Sequence, residues 1–174
     1  KHCENMKLFG SDEGKIALLK KWRDNREGIR WADEKGNVLC GAVDNILQKE
    51  NKLIVLDYKT RGYAVKEDTH KHYQHQMDVY TFLLEKNGFS TENYAFLLFY
   101  IPEKVLETGE VIFYTQLLKI STSLKNAEKL FNESIGLLNG GCPKKTCVWC
   151  EGALFEQNTI NKENVKRSVQ DRLL

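Results

Sequence analysis

Four aliphatic residues in a row, Leu53-Ile54-Val55-Leu56, run straight into Asp57-Tyr58-Lys59, and this junction constrains the chain more than any other stretch. The apolar run reads as a β-strand. Asp57 and Lys59 are two residues apart, so on a strand their side chains point to the same face. Upstream, Val38 to Asn45 forms a second strand-like run that carries Gly41-Ala42-Val43-Asp44. The polar Gln48-Lys49-Glu50-Asn51-Lys52 joins the two runs in a strand-turn-strand signature. Asp44 and Asp57 thereby fall near the ends of neighbouring strands, and Gly41 leaves room for a close approach.

Two carboxylates converging at neighbouring strand ends offer a hard-oxygen site suited to Mg²⁺ or Mn²⁺. The Tyr58 carbonyl can add a further ligand. A lysine beside them can position a water and offset charge developing on a phosphate. Together these are the parts needed for metal-assisted hydrolysis of a phosphodiester. A D-x-K triplet alone arises by chance in many chains; its position at a strand end, with Asp44 as partner, makes it informative.

The rest of the chain supplies a frame for that site. Ile16, Leu19 and Trp22 recur at helical spacing. Tyr73, Met77, Tyr80 and Leu84 mark a helix face from Thr69 to Lys86, stopped by Asn87-Gly88. Strands are expected over Tyr94 to Ile101 and Val111 to Ile120, linked through the turn formers Pro102 and Gly109. Ser121-Thr122-Ser123 offers N-cap oxygens to a helix bearing Leu124, Ala127, Phe131, Ile135 and Leu138, which Gly140-Gly141 ends. The order of helices and strands predicts an α/β fold, one mixed β-sheet flanked by α-helices.

With three pieces in order, the chain resembles the PD-(D/E)XK nuclease superfamily, and within it the RecB-like branch of CRISPR-associated RecB-type and AddB-type nuclease domains. The pieces are Gly41-x-Val43-Asp44, Asp57-x-Lys59, and Gln76-Met77-Asp78-Val79-Tyr80, which is similar to the branch's Q-h-x-x-Y motif. The resemblance implies a restriction-endonuclease-like sheet with Asp44, Asp57 and Lys59 catalytic. Gln76 and Tyr80 share a helix face, which in the family lies beside the active site and near DNA. The branch also carries a ligand histidine before its first strand. Only His2 lies upstream here, so the resemblance places that role on His2, the alternative being an unattached terminal residue. On this reading the chain begins inside the motif, as a piece truncated at its N-terminus.

His70, His72 and His75 crowd the start of the Gln76 helix, but their spacing puts only two near one face, a poor zinc site. Cysteines occur at 3, 40, 142, 147 and 150. Cys40, on a strand, reads as a small buried hydrophobe. Cys142, Cys147 and Cys150 have metal-ligand spacing. Iron–sulfur members of the family hold a [4Fe–4S] cluster with three late cysteines and one early one. The C-x4-C-x2-C order here departs from the usual one, so a cluster, zinc and plain thiols all stay open. The nuclease core is expected over 1–139, with a cysteine-bearing segment and tail over 140–174.

The 174 residues suffice for a core without disulfides, and 26 basic against 24 acidic residues leave a net charge of +2. Basic residues cluster at Lys15, Lys20, Lys21, Arg23, Arg26 and Arg30, and again at Lys162, Lys166, Arg167 and Arg172; both clusters read as solvated helix faces. The longest apolar stretch, Tyr94 to Ile101, is far short of a membrane helix. With no signal peptide, a cytoplasmic location is expected, with no membrane partner. The expected activity is a Mg²⁺- or Mn²⁺-dependent exonuclease on DNA, single-stranded or with free ends, leaving 5′-phosphates in repair, recombination, phage or CRISPR-related processing. A helicase or other protein is an expected partner. The alternatives are a non-catalytic nucleic-acid-binding or scaffold module, or the same chemistry on RNA or branched DNA.

Overall fold

A computed structural model describes residues 5–11, 13–141, 148, 151 and 152. In chain order the elements are β1 (Met6–Leu8), α1 (Glu13–Arg23), β2 (Ile29–Ala32), β3 (Val38–Gly41), β4 (Asn45–Lys49), β5 (Lys52–Thr60), α2 (Gln74–Lys86), β6 (Tyr94–Val105), β7 (Val111–Ser121) and α3 (Leu124–Leu138). The chain divides into two units, Lys1–Gly136 and Leu137–Leu174. All of these elements lie in the first, except the last two residues of α3.

Five strands form one mixed sheet in the order β1-β4-β5-β6-β7. β4 and β5 are antiparallel, β5 and β6 parallel, and β6 and β7 antiparallel. Parallel neighbours cannot be joined by a tight turn, and α2 is the crossover that joins β5 to β6. This is the α/β arrangement of a restriction-endonuclease-like fold. β5 is apolar on both faces because both are buried. Leu53 and Val55 enter the larger core with Ile46, Met77, Leu83, Leu97 and Phe99, whereas Ile54 and Leu56 enter a smaller cluster with Leu47, Tyr94 and Phe96. Asp57 and Lys59 continue the Leu53–Val55 row, so they point to the side of the larger core.

Local sequence signals account for most of the helix ends. Glu13 opens α1 and Lys20, Lys21 and Arg23 close it, each sign favoured by the helix dipole at that end. Leu19 and Trp22 are buried, while Ile16 is exposed. The Trp22 ring stacks on Phe9 at 5.5 Å and meets the Phe89 edge at 5.1 Å. A 3-10 turn at Thr69–Tyr73 precedes α2, so the expected Thr69–Lys86 helix is α-helical only from Gln74. Gly88, at φ 84°, follows its end. Ser123 Oγ accepts the Asn126 N–H at 3.2 Å and caps α3.

Three expectations are corrected. The run Val38–Asn45 is two strands, not one. β3 pairs with β2 in a separate two-stranded sheet, and β4 joins the main sheet. The chain changes sheets at Ala42-Val43-Asp44, where the buried Val43 donates its N–H to the Trp22 carbonyl at 3.1 Å. Pro102 is not in a turn but inside β6, at a register irregularity between Pro102 and Lys104, where a residue without an N–H is tolerated. Cys40 is exposed rather than buried, because β3 is a strand of a small sheet with alternating exposure. Among the described residues no helix is long and apolar enough to cross a membrane.

Gly28 has φ +62°, and a Cβ there would sit 2.6 Å from the Gly41 carbonyl oxygen. The left-handed backbone alone costs a side chain about 1–2 kcal/mol. Gly28→Ala is therefore expected to destabilise the protein by about 2 kcal/mol or more in urea denaturation. Gly14→Ala, in α1 with nothing within 4 Å of the added methyl, is expected to stabilise it by up to about 1 kcal/mol.

Candidate active site

Asp57 is 2% exposed. A buried carboxylate carries a desolvation cost of several kcal/mol unless a partner offsets it. Lys59 Nζ lies 2.5 Å from Asp57 Oδ2 and is that partner. The contact is short but poorly aligned, and no contact of hydrogen-bond geometry reaches this buried oxygen. Burial pushes the Asp57 carboxyl above the ordinary value of 3.8. The nearby Asp44 charge adds to the rise, and Lys59 opposes it.

Asp44 sits in the link between β3 and β4, immediately before Asn45, and not within a strand. Its Oδ2 accepts the Tyr58 N–H at 2.8 Å. It can do so because β4 pairs with β5 only as far as Asn45 and Leu56, which leaves that edge of β5 open beyond Leu56. A residue's N–H and C=O leave an extended strand on the same side, so the Tyr58 carbonyl faces the open edge beside Asp44. The Tyr58 side chain takes the opposite face from Asp57, and its hydroxyl accepts from Asn45 Nδ2 at 2.9 Å. Arg23 Nε donates to the Asp44 carbonyl at 2.6 Å. This member of the first basic cluster is thus not merely a solvated charge: it anchors the backbone of a site residue.

The α2 motif reaches the same place. Gln76 Oε1 accepts from Lys59 Nζ at 3.1 Å, and Gln76 Nε2 donates to Tyr80 Oη at 2.9 Å. An ammonium has only donors, which sets the orientation of the amide. The chain Asp57–Lys59–Gln76–Tyr80 is therefore continuous. Burial, ahead of every other cause, raises the Tyr80 hydroxyl above its usual pKa, so it keeps a proton to donate. Gly41 makes the placement of Tyr80 feasible, since an added Cβ would lie 2.7 Å from the Tyr80 ring. The Tyr73 ring covers Lys59, its centroid 4.9 Å from Nζ.

The site fits a divalent cation through its donor set. It holds the under-coordinated Asp57 Oδ2, the Asp44 carboxylate and the outward-facing Tyr58 carbonyl. Among the described residues no group of three His, Cys, Asp or Glu side chains converges. Two carboxylates with a carbonyl and water are nonetheless what Mg²⁺ accepts. His2, Cys142, Cys147 and Cys150 lie outside the described residues. His70, His72 and His75 do not converge: His70 Nδ1 contacts the Glu67 carbonyl at 2.9 Å and His75 Nδ1 contacts Asn126 Nδ2 at 3.3 Å.

One buried charge near the site escaped sequence reasoning. Asp78 accepts from Gln74 Nε2 at 2.9 Å, the Ser123 N–H at 2.9 Å and Asn126 Nδ2 at 2.5 Å. It ties α2 to the start of α3 and holds the motif helix in place. Its only sequence signal was an acid four residues after Gln74 on a helix whose neighbours are apolar.

A folded-state pKa above 3.8 means that the native protein binds the Asp57 proton more tightly than the unfolded chain does. Ionisation of Asp57 therefore lowers stability as pH rises from 3.8 through the folded value. Without metal, Asp57→Asn is expected to melt at a higher temperature than the wild type at pH 7. Added Mn²⁺ is expected to raise the melting temperature of the wild type and not that of Asp57→Asn. Thermal denaturation with EDTA or Mn²⁺ checks both.

No curated protein matches the chain. A solved structure described as "Crystal structure of SSO0001" aligns over 63% of this chain and 47% of its own, at 20% identity and a TM-score of 0.41, so this chain spans under half of that molecule. The sequence model of the PD-(D/E)XK nuclease superfamily matches residues 13–157, which contain Asp44, Asp57, Lys59, Gln76 and Tyr80. The chain belongs to the PD-(D/E)XK nuclease superfamily.

Proposed function

We propose that this protein is a metal-dependent DNA nuclease of the RecB-like branch, acting from free ends as an exonuclease in the cytoplasm. Its core spans 1–139, a separate cysteine-bearing segment spans 140–174, and a helicase or other protein brings it to DNA undergoing repair or related processing. The observation that carries the reading is the buried Asp57 carboxylate, whose Oδ2 meets Lys59 Nζ without hydrogen-bond alignment and whose charge is coupled to that of Asp44. The Lys59–Gln76–Tyr80 chain supports the RecB-like assignment, because it links the catalytic strand to the Q-x3-Y helix.

Asp44, Asp57 and the Tyr58 carbonyl would hold Mg²⁺ or Mn²⁺, which when bound supplies Lewis-acid charge to the phosphate and a more acidic water. Lys59 orients the attacking water in line with the departing 3′ oxygen, leaving a 5′-phosphate. Gln76 holds Lys59 on one side and Tyr80 fixes Gln76, so the ammonium approaches the phosphate in one orientation. Tyr73, over Lys59, shields it from bulk water and strengthens its interaction with developing negative charge.

End-labelled linear and circular DNA, single- and double-stranded, incubated with Mn²⁺, Mg²⁺ or EDTA, tests the proposal. Linear DNA is expected to be degraded only with metal, and circular DNA spared. Lys59→Ala is expected to lose about 10²–10³-fold in rate, the usual effect of removing one transition-state donor. Absence of cleavage on every substrate would overturn the assignment in favour of a binding module. Gln76→Ala, which removes the acceptor that holds Lys59 and the donor to Tyr80, is expected to lose about 10–100-fold while the circular dichroism spectrum in EDTA stays that of the wild type.

A further inference from the structure

Beyond Lys59 the chain carries a feature that the proposed chemistry does not use. β5 ends at Thr60, but the Arg61 N–H still donates to the Tyr100 carbonyl at 3.1 Å, so the strand path continues one residue further. Residues 57, 59 and 61 then share a face, and Arg61 lies about 6.7 Å beyond Lys59 along the strand. That is about the separation of adjacent phosphates in a stretched nucleic-acid strand. Arg61 is held rather than free. Its Nη1 donates to Thr69 Oγ1 at 2.8 Å, and its guanidinium carbon lies 4.3 Å from the Tyr63 ring centroid. Thr69 is itself buried and also accepts the Lys66 N–H at 2.9 Å. Among the described residues no carboxylate pairs with Arg61. Tyr63 is 62% exposed: its ring and its hydroxyl both lie against the guanidinium, and much of the residue stays open to solvent.

A guanidinium that is oriented, stacked and left without an acid is suited to a phosphate, because unclaimed donors of its fork remain available. An exposed tyrosine ring beside it is suited to an unpaired base, which stacks without regard to sequence. We propose that Arg61 and Tyr63 form a nucleotide clamp beside the scissile bond. Arg61 holds the phosphate next to the one Lys59 faces, and Tyr63 stacks on the base attached to it. The clamp deepens the nuclease reading and rests on it. It requires the flanking nucleotide to be unpaired, since a base within a duplex has no free face to offer.

The test measures anisotropy of a short labelled single-stranded DNA and of the matching blunt duplex, over a salt series in EDTA, together with cleavage kinetics in Mn²⁺. The full chain is compared with Arg61→Ala, Tyr63→Ala and Tyr63→Phe, with circular dichroism as the control for folding. Tyr63→Ala is expected to weaken single-strand binding about 5- to 100-fold with an unchanged salt slope, and Tyr63→Phe to bind like the wild type. Arg61→Ala is expected to reduce the log–log salt slope by about 0.7. Both alanine variants are expected to raise KM more than they lower kcat. Equal binding by all four proteins, or equal loss in Tyr63→Phe and Tyr63→Ala, overturns the clamp. Wild-type cleavage with unaltered variants removes the clamp and leaves the nuclease reading. Clamp-dependent binding without metal-dependent cleavage does the reverse, and a wild type that neither binds nor cleaves removes both.

Discussion

The rest of the site depends on Asp57 lying in the buried row of β5. Leu53 and Val55 fill the larger core and Asp57 is the next side chain on that face, so packing that favours the strand also drives a carboxylate out of water. Strand periodicity leaves no intermediate position: a slip of one residue would turn Asp57 and Lys59 to the opposite face. The register is held from both sides, antiparallel to β4 through Asn45–Leu56 and parallel to β6 through Thr60–Tyr100. The desolvation cost of one acid is thus met by the cohesion of the sheet, and its charge is met by Lys59 two residues on.

The surrounding parts follow from that placement. β4 ends early enough to leave the Tyr58 backbone open, and Asp44 fills the edge position a paired strand would take. Arg23 holds the Asp44 backbone, and Asp78 holds the helix that delivers Gln76 and Tyr80. Gly41 leaves space for the Tyr80 ring at a distance no side chain would permit. Two anchors, one space and one edge thereby maintain a buried acid that a protein selected for stability alone would replace.

Residues whose relation is local were legible. Asp57 and Lys59 share a face because strands repeat every two residues, and Gln76 and Tyr80 share one because helices repeat every 3.6. The Ser123 cap and the stop at Asn87-Gly88 are local in the same sense. Relations between distant residues were not legible. The run Val38–Asn45 looks continuous, and nothing in its pattern says that β3 and β4 take different partners. Pro102 looks like a turn until the register irregularity in β6 accommodates it. Cys40 looks like core until β3 proves to belong to a small sheet. Asp78 and Arg23 look like ordinary charges because their partners lie 45 and 21 residues away.

The sequence by itself determined the chemical inventory: two carboxylates, a lysine, a Gln–Tyr pair and the strand and helix that bear them. Periodicity is a property of the backbone and survives without tertiary contacts. The tertiary structure alone decided that the lysine meets the glutamine, that Asp57 is buried with its Oδ2 against a poorly aligned lysine, and that Asp44 stands at an open strand edge. Each of these depends on where one element ends relative to another, which packing sets and no local pattern encodes.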